Sequence, residues 1–111
     1  MIFDKILKFT KGWFIGDFEP SILKTNLFEV GLLTRYKGQD DPPHYHAIAT
    51  EYNVVVSGSM TINGNFLEKG DVFIIEKNET TKSIFHEDTT LLVVKVPSVP
   101  SDKYEVFDEN I

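Results

Sequence analysis

From residue 22 onward the chain reads as one short strand-like run after another, each closed by a turn signal, and no helical period is sustained anywhere after residue 10. A chain of this kind has to bury its apolar faces sheet against sheet or by closing a sheet on itself, so a β-sandwich or β-barrel is expected. Within Ile22 to Tyr36, the segment Asn26 to Tyr36 (NLFEVGLLTRY) alternates and is rich in strand formers, and Lys37-Gly38 ends it. Tyr52 to Val56 forms the next run, turned by Ser57-Gly58-Ser59. Met60 to Ile62 then leads into Asn63-Gly64, the strongest two-residue hairpin signal in the chain. Short strands are expected at Phe66-Leu67, at Asp71 to Ile75 behind Lys69-Gly70, at Ser83 to Phe85 and at Leu91 to Val96.

The two ends are less patterned. Met1 to Phe9 places Ile2, Phe3, Ile6 and Leu7 at a spacing that suits a short amphipathic helix or an edge strand. Lys11 to Pro20 (KGWFIGDFEP) holds the only tryptophan amid Phe14, Ile15 and Phe18, which reads as core or as a subunit contact. In the tail from Pro97, Tyr104, Val106 and Phe107 could dock as one last strand, and Asp108 to Ile111 is expected to fray. With 111 residues, 41% of them hydrophobic, the chain makes one domain. Its barrel is expected at about 22–96, with 1–20 and 97–111 packed outside it.

Charge and composition narrow the function. A net charge of −6 argues against a nucleic-acid surface, and no apolar run approaches the length a bilayer needs. Without cysteine there is neither a disulfide framework nor a thiolate nucleophile, which together with the lack of a signal-like start favours a cytoplasmic location.

The chemistry concentrates in Gly38 to Gly58, GQDDPPHYHAIATEYNVVVSG, which holds His44, His46 and Glu51 in a chain with three histidines in all. In an extended segment His44 and His46 project to one side and Tyr45 to the other. Pro42 and Pro43 lack backbone donors, so the strand should begin near His44. Glu51 lies an odd number of residues from both histidines. A turn in Ala47 to Thr50 would bring it back, delivering it from a neighbouring antiparallel strand. Two neutral imidazoles and a carboxylate converging in this way leave open positions on a divalent metal. Without a ligand, the same residues would be a polar strand face.

The spacing of Gly38, His44, His46, Glu51 and Gly58 resembles the first motif of the cupin superfamily at every fixed position. GNFLEKGDVFIIEKNETTKS, around Gly64, Leu67, Gly70 and Asp71, is similar to the second. A subgroup of short cupins is similar further out, in HYH followed by Glu, in the turn at Glu76, Asn78 and Glu79, and in the ending Val94, Lys95, Pro97, Ser98, Asp102, Lys103 and Tyr104. The resemblance implies an all-β, cupin-type jelly-roll β-barrel (a double-stranded β-helix) with a metal near one mouth. Where the family pattern carries a third histidine this chain has Thr81. His86, five residues on, has the wrong parity for the cavity unless a bulge intervenes.

The expected site is therefore a divalent metal, iron, manganese, nickel or zinc, on His44, His46 and Glu51. Glu51 and Tyr36 are the candidate acid–base residues, and Met60, Phe73, Phe85 and Trp13 would supply apolar walls. Two functions are expected from such a barrel. One is an isomerase, epimerase or dioxygenase type of enzyme acting on a small polar metabolite such as a sugar derivative. The other is a non-catalytic small-molecule-binding module without functional metal. A homodimer is the expected assembly.

Overall fold

Alternation along the strands decides which residues face inward, and the computed structural model, which describes residues 1–107, follows it closely. Eleven strands form three sheets: β1 (Trp13–Gly16), β2 (Leu23–Lys24), β3 (Glu29–Arg35), β4 (His44–Tyr45), β5 (Thr50–Ser57), β6 (Ser59–Ile62), β7 (Asn65–Glu68), β8 (Val72–Ile75), β9 (Ser83–Phe85), β10 (Thr89–Val96) and β11 (Tyr104–Glu105). The largest sheet has six strands in the order β2-β1-β3-β10-β5-β8, the second runs β7-β6-β9, and β4 pairs with β11 alone. Strands far apart in sequence lie side by side, as β3 and β5 do on either edge of β10.

The six-stranded sheet packs its inner face onto β6 and β9. Leu33, Val55, Ile75, Leu91 and Val93 meet Met60, Ile62 and Phe85 in one buried cluster, flanked by Trp13, Leu67 and Phe73. At about 25 cal/mol per Å² of apolar surface, this burial is the main term holding the two sheets together. The turns are where sequence chemistry predicts them. Asn63 and Gly64 take φ of 46° and 81°, as a tight hairpin with positive φ at both central residues requires. Gly58, between β5 and β6, has φ 89°, and a Cβ there would lie 2.5 Å from the Asp88 carbonyl oxygen, so only glycine serves.

Some sequence expectations resolve differently. Met1 to Phe9 is neither an amphipathic helix nor an edge strand. It contains a single 3₁₀ turn at Ile6–Lys8, and only Phe9 is buried. Trp13–Gly16 is a full member of the large sheet rather than a segment outside the barrel, because Gly31 on β3 leaves room for the Trp13 ring to lie against it. The tail is likewise built in: Tyr104 pairs with Tyr45, and their rings stack at 5.3 Å between centroids. Asp108 to Ile111, expected to fray, lie outside the described residues. Among the described residues, no helix is long and apolar enough to cross a membrane.

Candidate functional site

Three inward positions in register form the base of the site. On β3, β10 and β5 the inward-facing positions hold the core residues Leu33, Leu91, Val93 and Val55 along their middle and reach charged residues at one common end, at Glu29, Lys95 and Glu51. Lys95 pairs directly with Glu29 on one side and with Glu51 on the other, so a carboxylate–ammonium–carboxylate row crosses the sheet. The Lys95 ammonium lies 3.7 Å from Glu29 Oε1 and 5.1 Å from the centre of the Trp13 ring. Buried Ser98 donates a 2.8 Å hydrogen bond to the other Glu29 oxygen.

The histidines close over this row from the small sheet. His44 and His46 share a face as strand parity requires, with ring centroids 5.5 Å apart, and Tyr45 points away onto Tyr104. Glu51 does not arrive from a strand paired with β4, as expected. Residues 47–49 carry the chain out of the small sheet, and Glu51 enters from the large one. Asp102 shapes that crossing, since its carboxylate accepts the backbone N–H groups of Ala47, Ile48 and Ala49 at 2.8–3.0 Å. Burial pushes the Asp102 pKa up, but these three bonds outweigh it and hold the carboxyl below its usual range.

Each imidazole has a defined tautomer. His44 Nδ1 lies 2.9 Å from the Pro42 carbonyl, which can only accept, so Nδ1 carries the proton and Nε2 presents a lone pair. His46, only 4% exposed, has Nε2 3.3 Å from Lys95 Nζ and Nδ1 3.5 Å from Glu51 Oε2. An ammonium can only donate, so the Nε2 lone pair of His46 is directed at Lys95. Desolvation, helped by the Lys95 charge, pushes the His46 pKa down to about 4, so the ring is neutral near pH 7. Desolvation pushes the Glu51 carboxyl the other way, above its usual value, against the pull of Lys95.

A cavity of about 460 Å³ opens over these groups, and Arg35, Lys103, Trp13 and Phe18 contribute to its wall. A narrower recess of about 60 Å³ continues inward past His44, Glu51 and Thr81 towards Asn53 and Met60. Asn53 is fully buried, and its side chain helps to hold the Glu51 carboxylate, pulling against the effect of burial.

His44, His46, Glu51 and Thr81 are thus brought together. Thr81 is buried and bridges His44 through reciprocal backbone hydrogen bonds. Tyr36 is not with them: it is 62% exposed and lines neither the cavity nor the recess. His86 is also elsewhere, exposed at the far sheet and 2.7 Å from Thr61 Oγ1. Of the expected walls, Trp13 lines the outer cavity, and Met60, Phe73 and Phe85 line the recess as core residues.

Chemically the donor set suits a divalent ion: one imidazole with a fixed lone pair, one neutral imidazole and a buried carboxyl. Geometrically it does not fit one as arranged. Among the described residues no three His, Asp or Glu side chains are placed to hold a metal, and the Lys95 ammonium stands on the His46 nitrogen that would ligate it.

No family model matches the sequence, and no curated protein does. Solved structures do match. An uncharacterized conserved protein with a double-stranded β-helix domain from Klebsiella pneumoniae aligns with TM-score 0.67 and 21% identity, over 78% of this chain and 76% of that one. A cupin-2 domain protein from Shewanella frigidimarina aligns at TM-score 0.58 and 22% identity, over 68% and 76%. The fold is that of the cupins. A bacterial pirin from Escherichia coli, solved in complex with nickel(II), shares it at TM-score 0.65 and 21% identity, over 79% of this chain and 39% of the pirin.

Proposed function

We propose that the mouth of this cupin barrel binds a small polar metabolite such as a sugar derivative, using its own side chains, chiefly His44, His46, Glu51 and Lys95. The observation that carries this reading is a cavity of about 460 Å³ whose inner wall is a buried row of alternating charge. Its size lies within the roughly 300–1,000 Å³ typical of small-molecule sites, and its lining is mostly charged and polar, with Trp13, Phe18 and Leu33 among its few apolar residues, which suits a polar ligand. Backbone amide NMR of the labelled protein against sugars, sugar acids and small hydroxy and keto acids tests it. Saturable shifts confined to residues around Arg35, His46, Glu51 and Lys95 are expected, and the absence of any such shift at ~10 mM ligand removes the reading.

A second reading is favoured by the His44 ring, whose Nδ1 contact with Pro42 presents Nε2 to the cavity in the way a ligating histidine is commonly oriented. In it His44, His46 and Glu51 hold iron, manganese, nickel or zinc, with Lys95 turned aside. Bound metal would supply Lewis acidity to an isomerase, epimerase or dioxygenase type of reaction. Elemental analysis of protein purified without chelator decides: about one transition metal per chain supports it, and none opposes it.

We further propose that two copies associate through the outer face of the large sheet. Outward positions Val30, Leu32, Leu92, Val94, Tyr52, Val54, Val72 and Ile74 adjoin one another across four strands with no charge among them. Val72 and Ile74 are 70% and 54% exposed. A flat uncharged face of this kind is self-complementary and suits a two-fold dimer. Sedimentation should show a dimer for the wild type and a monomer for Ile74→Glu, whereas a wild-type monomer at ~100 μM would exclude it.

A further inference from the structure

The Glu29–Lys95–Glu51 row has a consequence for what the mouth can hold. We propose that Lys95 is the resident cation of this site: its ammonium occupies the His46 Nε2 lone pair that a divalent ion would need, so the wild-type cupin works without metal and admits one only when Lys95 is removed. This rests on the mouth being the binding site, as argued above, and it specifies the chemistry by which that site meets its ligand.

Three observations carry it. The first is occupancy. A metal sits about 2.1 Å from an imidazole nitrogen along its lone pair, a point that falls within the envelope of an ammonium 3.3 Å from His46 Nε2. One lone pair cannot serve both. The second is charge. Lys95 stands in register between Glu29 and Glu51 and pairs with Glu29 at 3.7 Å, so a cation already belongs to the position, and a divalent ion beside the ammonium would meet direct repulsion. The third is construction. The ammonium is held near Glu29 at 3.7 Å and above the Trp13 ring at 5.1 Å, while the position that would carry a third imidazole is Thr81, which has no nitrogen to offer. A ligand oxygen entering the cavity would then accept a hydrogen bond from Lys95 where other sites offer it a metal.

The test is nickel(II) binding by calorimetry, with melting temperature followed in parallel, on chelator-treated wild type, Lys95→Met, Lys95→Arg and the double variant Lys95→Met/His46→Ala. Lys95→Met is expected to gain a site at least ~10-fold tighter than any in the wild type and to melt higher with nickel present. The double variant should lose that gain, and Lys95→Arg, which keeps the charge, should behave as the wild type. Wild type binding nickel as tightly as Lys95→Met overturns the inference, as does a Lys95→Met variant that gains nothing. Should Lys95→Met fail to fold, the wild type decides: nickel uptake that broadens the His44 and His46 resonances at ~10 μM overturns it, and none at ~1 mM supports it. Failure of metabolite binding would remove the reading of the mouth as a ligand site, yet the exclusion of metal by Lys95 would stand or fall on the nickel data alone.

Discussion

Follow β10 along its inner face and the molecule changes character within a few residues. Leu91 and Val93 are buried among Val55, Met60 and Phe85, whereas Lys95, the next inward position, faces carboxylates on both neighbouring strands. The apolar end is stable because its atoms have left water, and it carries no group that titrates. The charged end has left water at a cost and is compensated by pairing, so it is sensitive to what enters it. One sheet, with one alternation, therefore supplies both a core that fixes the fold and a mouth that is poised to respond.

The sharpest way to separate the two ends is to damage each. Phe85→Ala removes a large side chain from the apolar end and should cost about 3–5 kcal/mol in denaturant unfolding. A cost under about 1 kcal/mol would mean that the two sheets are not held together there. Asp102→Ala acts on the other end. It takes the acceptor from three backbone N–H groups between His46 and Glu51, and a loss of about 2–3 kcal/mol is expected. Hydrogen exchange at residues 47–49 should accelerate well beyond the global change. Unchanged protection of those amides would show that Asp102 does not hold the crossing.

The smallest effect separates the ends by pH. His46 has a folded pKa of about 4 against 6.5 for the free side chain, so the unfolded state binds the proton more readily. Its contribution is fully favourable above pH 6.5 and is lost as pH falls towards 4. Glu51, with its pKa raised, works in the opposite sense, adding stability as pH falls through its folded value. A net loss of about 1–2 kcal/mol between pH 7 and 4.5 is expected after solvent screening. His46→Gln should flatten that slope while leaving the cost of Phe85→Ala unchanged. A slope that persists in His46→Gln would place the titrating group elsewhere.

Much of this was legible from residue order. The turns at Gly58 and Asn63-Gly64, the start of β4 at His44 and the divergence of Tyr45 from the two histidines all follow from local backbone rules, so neighbours in sequence suffice to read them. The partner of β4 was not legible. The chain leaves His46 for a different sheet, and β4 pairs instead with Tyr104 and Glu105 from the tail. Lys95 and Glu29 leave only a faint trace in the sequence, namely a charge at an inward position following Leu91 and Val93, and another preceding Gly31 and Leu33. Each charge by itself looks like a strand end. Asp102 left even less, because a carboxylate in a loop names no partner.

By itself the sequence determined an all-β chain, the order of its strands along the polypeptide and the face shared by His44 and His46, since period-two alternation and turn chemistry act over a few residues. Only the tertiary structure decided that Lys95 stands among them. Its place depends on strands more than forty residues apart in sequence pairing in one register, Glu29 and Glu51 on either side of β10, and register between distant strands is set by the burial of the whole inner face rather than by any local signal.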